Sequence, residues 1–168
     1  ITRDQSLMKG YEGPWYYEQL DLGYNYRLTD IQAALGISQM DKLDRFLDRR
    51  RTLIEQYNEA FAECQDIIIP HQLEDTRSGW HLYVIQVPNH DRRKVFEELR
   101  AKGIGVNVHY IPVYKHPYYQ EQGYAGVVCK NAEDIYQNII SLPLYPRLTD
   151  EEQQYVIKTL LEILERLK

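Results

Sequence analysis

Two four-residue boxes constrain this chain more than any other feature of it. Thr29-Asp30-Ile31-Gln32 and Thr149-Asp150-Glu151-Glu152 each place a threonine three residues ahead of a glutamine or glutamate. In that pattern the hydroxyl accepts from one orphan amide at a helix start, and the returning side chain takes up another. Apolar residues at helical spacing follow both boxes. After the first, Met40, Leu47, Ile54 and Phe61 recur every seven residues, with Leu43 and Tyr57 on the interleaved row. That stripe predicts one long helix to about residue 63. After the second, Val156, Leu160, Ile163 and Leu167 form one stripe of a last helix. Arg49-Arg50-Arg51 crosses the first stripe only at Arg50, so the run reads as a solvated face with one snorkelling stem.

Between these helices the period changes. Trp80 to Val87 is β-branched and aromatic and is stopped by Pro88, which predicts a buried strand. Asp91 caps a short helix with Val95 and Leu99 on one face, closed by Lys102 and Gly103. Gly105 to Tyr110 reads as a second strand, with Val106, Val108 and Tyr110 on one face and Asn107 and His109 on the other. Residues 111–130 read as a long loop. Asn131 caps a further short helix, and Ile139 to Tyr145 is a third strand stopped by Pro146. The order predicts an α+β fold of about three strands with helices on one side, preceded by the long helix. Residues 1–28 carry glycine, proline and aromatics without period and read as loop or linker. The chain therefore divides into 1–28 and 29–168. It opens on Ile1 rather than methionine and reads as cut from something longer.

Composition removes several classes of function. Of 168 residues, 43% are hydrophobic, too many for a disordered chain. Twenty basic residues against twenty-five acidic give −5, which argues against a general nucleic-acid or anionic-membrane surface. No apolar run approaches the ~20 residues of a membrane span. Cys64 and Cys129 form no CxxC, and reduced thiols in a cytoplasm are the simplest reading. The spacing of His81, His109 and His116 matches no metal motif. There is no dinucleotide fingerprint and no P-loop. The unusual feature is fifteen tyrosines, clustered at Tyr11 to Tyr26 and Tyr110 to Tyr124. An apolar ring with a polar tip suits subunit interfaces and sugar-lined pockets.

Two segments could carry chemistry. Asn25-Tyr26-Arg27 lies just before the first box, where free amides and the helix dipole favour an anion and an Arg fork adds donors. On local sequence alone the plainer account holds, with Asn25 making a turn and Arg27 a surface ion pair. His109 to Tyr119 runs off a strand end with imidazoles, hydroxyls and aromatic faces together. A sugar-binding loop and a Tyr/Pro-rich packing loop both account for it.

The segment Gly23-Tyr24-Asn25-Tyr26-Arg27-Leu28-Thr29-Asp30-Ile31-Gln32-Ala33-Ala34-Leu35-Gly36 resembles a hallmark of the DegT/DnrJ/StrS sugar aminotransferases. Trp80-His81-Leu82-Tyr83, Gly103 to Val113 and Ser141-Leu142-Pro143-Leu144-Tyr145-Pro146 follow in the family's order, so the resemblance spans essentially the whole chain. It implies the C-terminal small domain of a fold-type I enzyme that uses pyridoxal phosphate (PLP), works as a homodimer, and moves an amino group from glutamate to a nucleotide-linked sugar. It also implies that Asn25 reaches the cofactor phosphate in the partner subunit, that Arg27 lies near the substrate phosphates, and that His109 and Tyr110 face the sugar. The family's cofactor lysine and large cofactor domain correspond to sequence upstream of Ile1, and none of the lysines here sits in the matching context. Residues 1–28 are then the remnant of that cofactor domain, and this chain alone is expected to be inactive. The competing class is a non-enzymatic interaction or dimerisation module with the tyrosines as contact surface.

Overall fold

A computed structural model describes residues 2–24 and 26–168. The length favours one domain, yet the chain forms two compact units, Ile1–Asp41 and Lys42–Lys168.

The first unit is organised by a carboxylate. Thr2 and Glu18 form an antiparallel bridge. The Glu18 side chain accepts from the amides of Lys9 and Gly10, both at 2.8 Å, and from the Tyr16 hydroxyl at 3.0 Å. The Lys9 amide contributes most to holding this carboxyl below its ordinary range. Helix α1 (Asp30–Met40) begins at the expected box. Thr29 Oγ1 accepts from the Gln32 amide at 3.3 Å, and Gln32 Oε1 accepts from the Thr29 amide at 3.0 Å. No residue of α1 is buried.

The second unit opens with α2 (Leu43–Phe61), so the single long helix expected from residue 29 to about 63 is two helices. Lys42 widens to φ −101° at the junction without a side-chain cap. Of the predicted stripe, Met40 and Leu43 are exposed, and burial starts at Leu53, Ile54, Tyr57 and Phe61. Helical continuity rests mainly on packing of an apolar face, and at Met40 and Leu43 that packing is missing. The basic run is also less solvated than its charge implied. Arg49 donates to the Leu148 carbonyl at 2.6 Å and pairs with Asp150 at 2.8 Å, while Arg51 pairs with Asp48.

The sheet has two strands, β1 (Tyr83–Gln86) and β2 (Ile139–Leu142), antiparallel with Tyr83 opposite Leu142 and Gln86 opposite Ile139. About three strands were expected. Gly105 to Tyr110 contributes only an isolated bridge, Asn107 to Ser141, on the far edge of β2, and Ile68 bridges Gln86 on the outer edge of β1. The ladder stops because the Asn107 carboxamide oxygen takes the Val108 amide at 2.8 Å, a side-chain alternative to pairing. β1 starts late because Trp80 lies at φ 45°, outside extended backbone. β2 ends at Pro143, which has no amide to donate, and whose carbonyl accepts from the Tyr57 hydroxyl at 3.0 Å. All four residues of β2 are buried, so both its faces are covered rather than one.

Helix α3 (Arg92–Ala101) is capped by Asp91 as expected and ends in a Schellman motif. Gly103 at φ 77° donates to Arg100, and Ile104 donates to Leu99. The expected loop 111–130 contains short helical turns at Val113–Lys115, α4 (Pro117–Tyr119) and Gln120–Tyr124. Helix α5 (Lys130–Asn138) starts with Cys129 as N-cap, two residues earlier than the Asn131 cap expected. Its start is set by a distant group, since the Tyr114 hydroxyl accepts from the Cys129 amide. Helix α6 (Asp150–Arg166) begins at the second box and buries Val156, Ile157, Leu160, Ile163 and Leu164. It packs on α2 and α3, and Gln153 Nε2 donates to the Leu53 carbonyl inside the core. Tyr57 stacks between Phe61 and Tyr83, which places the core between α2 and β1.

Candidate functional site

The site in the second unit is built outward from β2. Ser141 and Asn107 exchange backbone hydrogen bonds, Ser141 donating at 2.8 Å and Asn107 at 3.2 Å. This registers the segment carrying His109 against a buried strand. His109 Nδ1 then lies 2.9 Å from Ser141 Oγ. The alternation of a strand puts His109 and Tyr110 on opposite faces. In the structure the two rings instead lie together, the Tyr110 centroid 4.7 Å from that of His109 and the planes tilted by 59°. His109 is half-buried and Tyr110 is exposed. The structure thus brings an imidazole and a phenol together.

The segment beyond is tied to α5. Lys115 Nζ pairs with Glu133 Oε2 at 2.8 Å, and the Tyr114 hydroxyl donates to Glu133 Oε1 at 3.1 Å. The Lys115 bond is the main reason Glu133 sits below the ordinary carboxylate range. Tyr118 and Tyr124 pack edge-on against Tyr119 with substantial exposure. Sequence reasoning did not single out Ser141, Glu133 or Tyr114. A signal for Ser141 was available: it is the one hydroxyl inside the apolar run Ile139-Ile140-Ser141-Leu142. Glu133 stands in the first turn of α5, and nothing local in the sequence joins it to Tyr114 and Lys115.

The candidate residues of the first unit are Asn25 and Arg27. Asn25 lies outside the described residues. Arg27 lines a cleft of about 640 Å³ with Arg3, Asp21, Tyr24 and Tyr26. The rings of Tyr24 and Tyr26 stack at 5.2 Å. Two guanidinium groups against one carboxylate favour an anionic guest. Among the described residues, the capping box occupies the Gln32 and Thr29 amides, and the amides of Asp30 and Ile31 have no acceptor. Arg27 belongs to one compact unit, His109 and Tyr110 to the other.

Cys64 and Cys129 are both free. Among the described residues, no group of three His, Cys, Asp or Glu side chains could hold a metal ion, and no helix is long and apolar enough to cross a membrane.

The sequence from residue 3 to residue 161 matches the DegT/DnrJ/EryC1/StrS aminotransferase family, and the chain belongs to it. It is 40% identical to the spore coat polysaccharide biosynthesis protein SpsC of Bacillus subtilis over 90% of this chain and 40% of that protein. It is 34% identical to the UDP-4-amino-4,6-dideoxy-N-acetyl-beta-L-altrosamine transaminase of Campylobacter jejuni, over 92% of this chain and 42% of the relative. Among solved structures it superposes on Helicobacter pylori PseC, an aminotransferase involved in pseudoaminic acid biosynthesis. The TM-score is 0.80 and the identity 31%, over 93% of this chain and 43% of the other. Matching solved structures include a PLP form and a PMP form. The chain spans about two fifths of the length of the curated relatives it matches.

Proposed function

We propose that this chain is the C-terminal portion of a PLP-dependent aminotransferase. It carries an amino group from glutamate to the keto carbon of a nucleotide-linked 4-keto-6-deoxy sugar, in the synthesis of a cell-surface polysaccharide or glycan. In this reading residues 29–168 are the fold-type I small domain and 1–28 the end of the cofactor-binding part. The single observation that carries it is the His109–Tyr110 pair, because a sugar ring takes hydrogen bonds at its edge and an apolar surface at its face. Family membership supplies the reaction type.

The two guanidinium groups of the Arg27 cleft suit the phosphates of such a substrate. PLP, when bound, supplies the electron sink for amino-group transfer. Asn25 would hold the cofactor phosphate in the partner subunit of a homodimer, and Arg27 would hold the substrate phosphates from the cleft it lines. His109 binds an oxygen of the sugar and Tyr110 packs on its ring.

Half-reactions test this in the enzyme that carries the chain. His109→Ala is expected to leave the glutamate step nearly unchanged and to lower kcat/KM for the keto-sugar by roughly tenfold to a hundredfold. Equal damage to both steps would assign His109 to the fold or cofactor instead. The 168-residue chain alone, mixed with PLP, should show no stoichiometric cofactor absorbance. A borohydride-reducible adduct on one specific lysine would overturn that expectation.

A further inference from the structure

Ser141 is a polar side chain in a strand otherwise made of Ile139, Ile140 and Leu142, and it is only 4% exposed. Its backbone amide and carbonyl are spent on Asn107. Its hydroxyl has one partner among the described residues, the Nδ1 of His109 at 2.9 Å.

A serine hydroxyl carries one proton and two lone pairs, and a neutral imidazole has one donor and one acceptor nitrogen. Two arrangements fit the distance. If Nδ1–H donated to Oγ, the buried hydroxyl proton would have no acceptor among the described residues. If Oγ–H donates to Nδ1, the proton is used and only lone pairs go unfilled. A buried donor left unsatisfied is the rarer and costlier outcome. The second arrangement therefore wins, and it puts the ring proton on Nε2. That nitrogen makes no protein hydrogen bond among the described residues. Nor is it a buried orphan, as both ring nitrogens of His90 are, so it opens to solvent. Tyr110 lies against the ring and limits its rotation.

We propose that Ser141 is a positioning residue that donates to His109 Nδ1 and fixes the imidazole as its Nε2–H tautomer, so that His109 presents a hydrogen-bond donor to an acceptor oxygen, carbonyl or hydroxyl, of the sugar. The sugar half rests on the function proposed above; the tautomer half does not. In this role His109 orients or polarises an oxygen and does not begin as a base at Nε2.

Two measurements separate the halves. Long-range ¹⁵N–¹H correlation spectra of histidine-labelled chain, taken where the imidazole is neutral, should show an unprotonated Nδ1 and a protonated Nε2 for His109. Ser141→Ala should shift both nitrogens toward tautomer averaging, and Ser141→Thr, which keeps the hydroxyl, should restore them. A protonated Nδ1 in the unaltered chain, or spectra unmoved by Ser141→Ala, overturns the positioning role. In the enzyme carrying this chain, Ser141→Ala should lower kcat/KM for the keto-sugar about tenfold, leave the glutamate step unchanged, and be rescued by Ser141→Thr. If His109→Ala lowers the sugar step and Ser141→Ala does not, positioning is overturned while the sugar site stands. If neither variant moves the sugar step while the spectra behave as expected, the sugar reading is overturned and the tautomer assignment stands.

Discussion

Helices α1 and α6 begin identically and end up in opposite environments. Each starts at a threonine with extended backbone, each threonine accepts from the third helical amide, and each third residue bonds back. Yet α1 buries nothing, with Ile31 84% and Leu35 61% exposed, while α6 buries Leu160 completely. Both sequences carry apolar residues enough to fill a core. The difference teaches that a capping box specifies where a helix starts and says nothing of what it packs against. Capping is decided within four residues, whereas burial is decided by elements far away in the chain. The two units also differ in how they cohere: the first through polar bonds gathered on Glu18, the second through a continuous apolar core.

The largest effect should come from removing apolar bulk on the buried side of this contrast, with the exposed side as its control. Leu160→Ala leaves a cavity where α6 meets the core and should cost about 2–5 kcal/mol in denaturant unfolding of the 168-residue chain. Leu35→Ala in α1 should cost no more than about 0.5 kcal/mol, as for other surface changes. If the two variants lose comparable stability, α1 is buried by something in solution, and the contrast between the helices fails.

Next in size are the caps. Replacing an N-cap threonine by alanine costs about 0.5–2 kcal/mol. Thr149→Ala should shift the global unfolding midpoint, because α6 belongs to the cooperative core. Thr29→Ala should leave that midpoint in place and speed amide exchange only within Asp30–Met40, since a helix with no buried face opens locally. A global shift of equal size in both variants would show that the units unfold together.

The same contrast explains which parts of the molecule were legible in the sequence. Both boxes, the Asp91 cap, the Gly103 termination and the apolar stripe of α6 were readable because each is settled by near neighbours in the chain. The break at Lys42 was not, because Met40 and Leu43 have the right period and only the absent packing betrays them. The second predicted strand failed at Asn107, whose carboxamide competes with the ladder. At the candidate site, the resemblance to the family pointed to His109 and Tyr110, whereas their loop alone reads equally well as packing. Their partner Ser141 lies 32 residues away, and Glu133 is joined to Tyr114 across 19, so no local period connects them.

The smallest effect is electrostatic and separates the units by pH. In the second unit, the Arg49 hydrogen bond holds the Asp150 carboxyl below its ordinary value. In the first, the Lys9 amide does most of the same for Glu18. A carboxyl depressed in the folded state adds stability above the unfolded carboxylate range, and that stability drains away as pH falls through the folded value. Both groups should therefore weaken the chain on acidification, and neither should act near neutrality. Their reach should differ. Arg49 ties α2 to the start of α6, so acid should lower the global midpoint more in the unaltered chain than in Arg49→Met. The difference should be small, since partly exposed ion pairs are screened. Protonating Glu18 should instead release the Lys9 and Gly10 amides to exchange while the global midpoint stays where it was. Superimposable acid profiles for the unaltered chain and Arg49→Met would remove the pair from the account of the second unit. A Glu18→Gln variant that flattened the acid dependence of the global midpoint would make the two units one cooperative body.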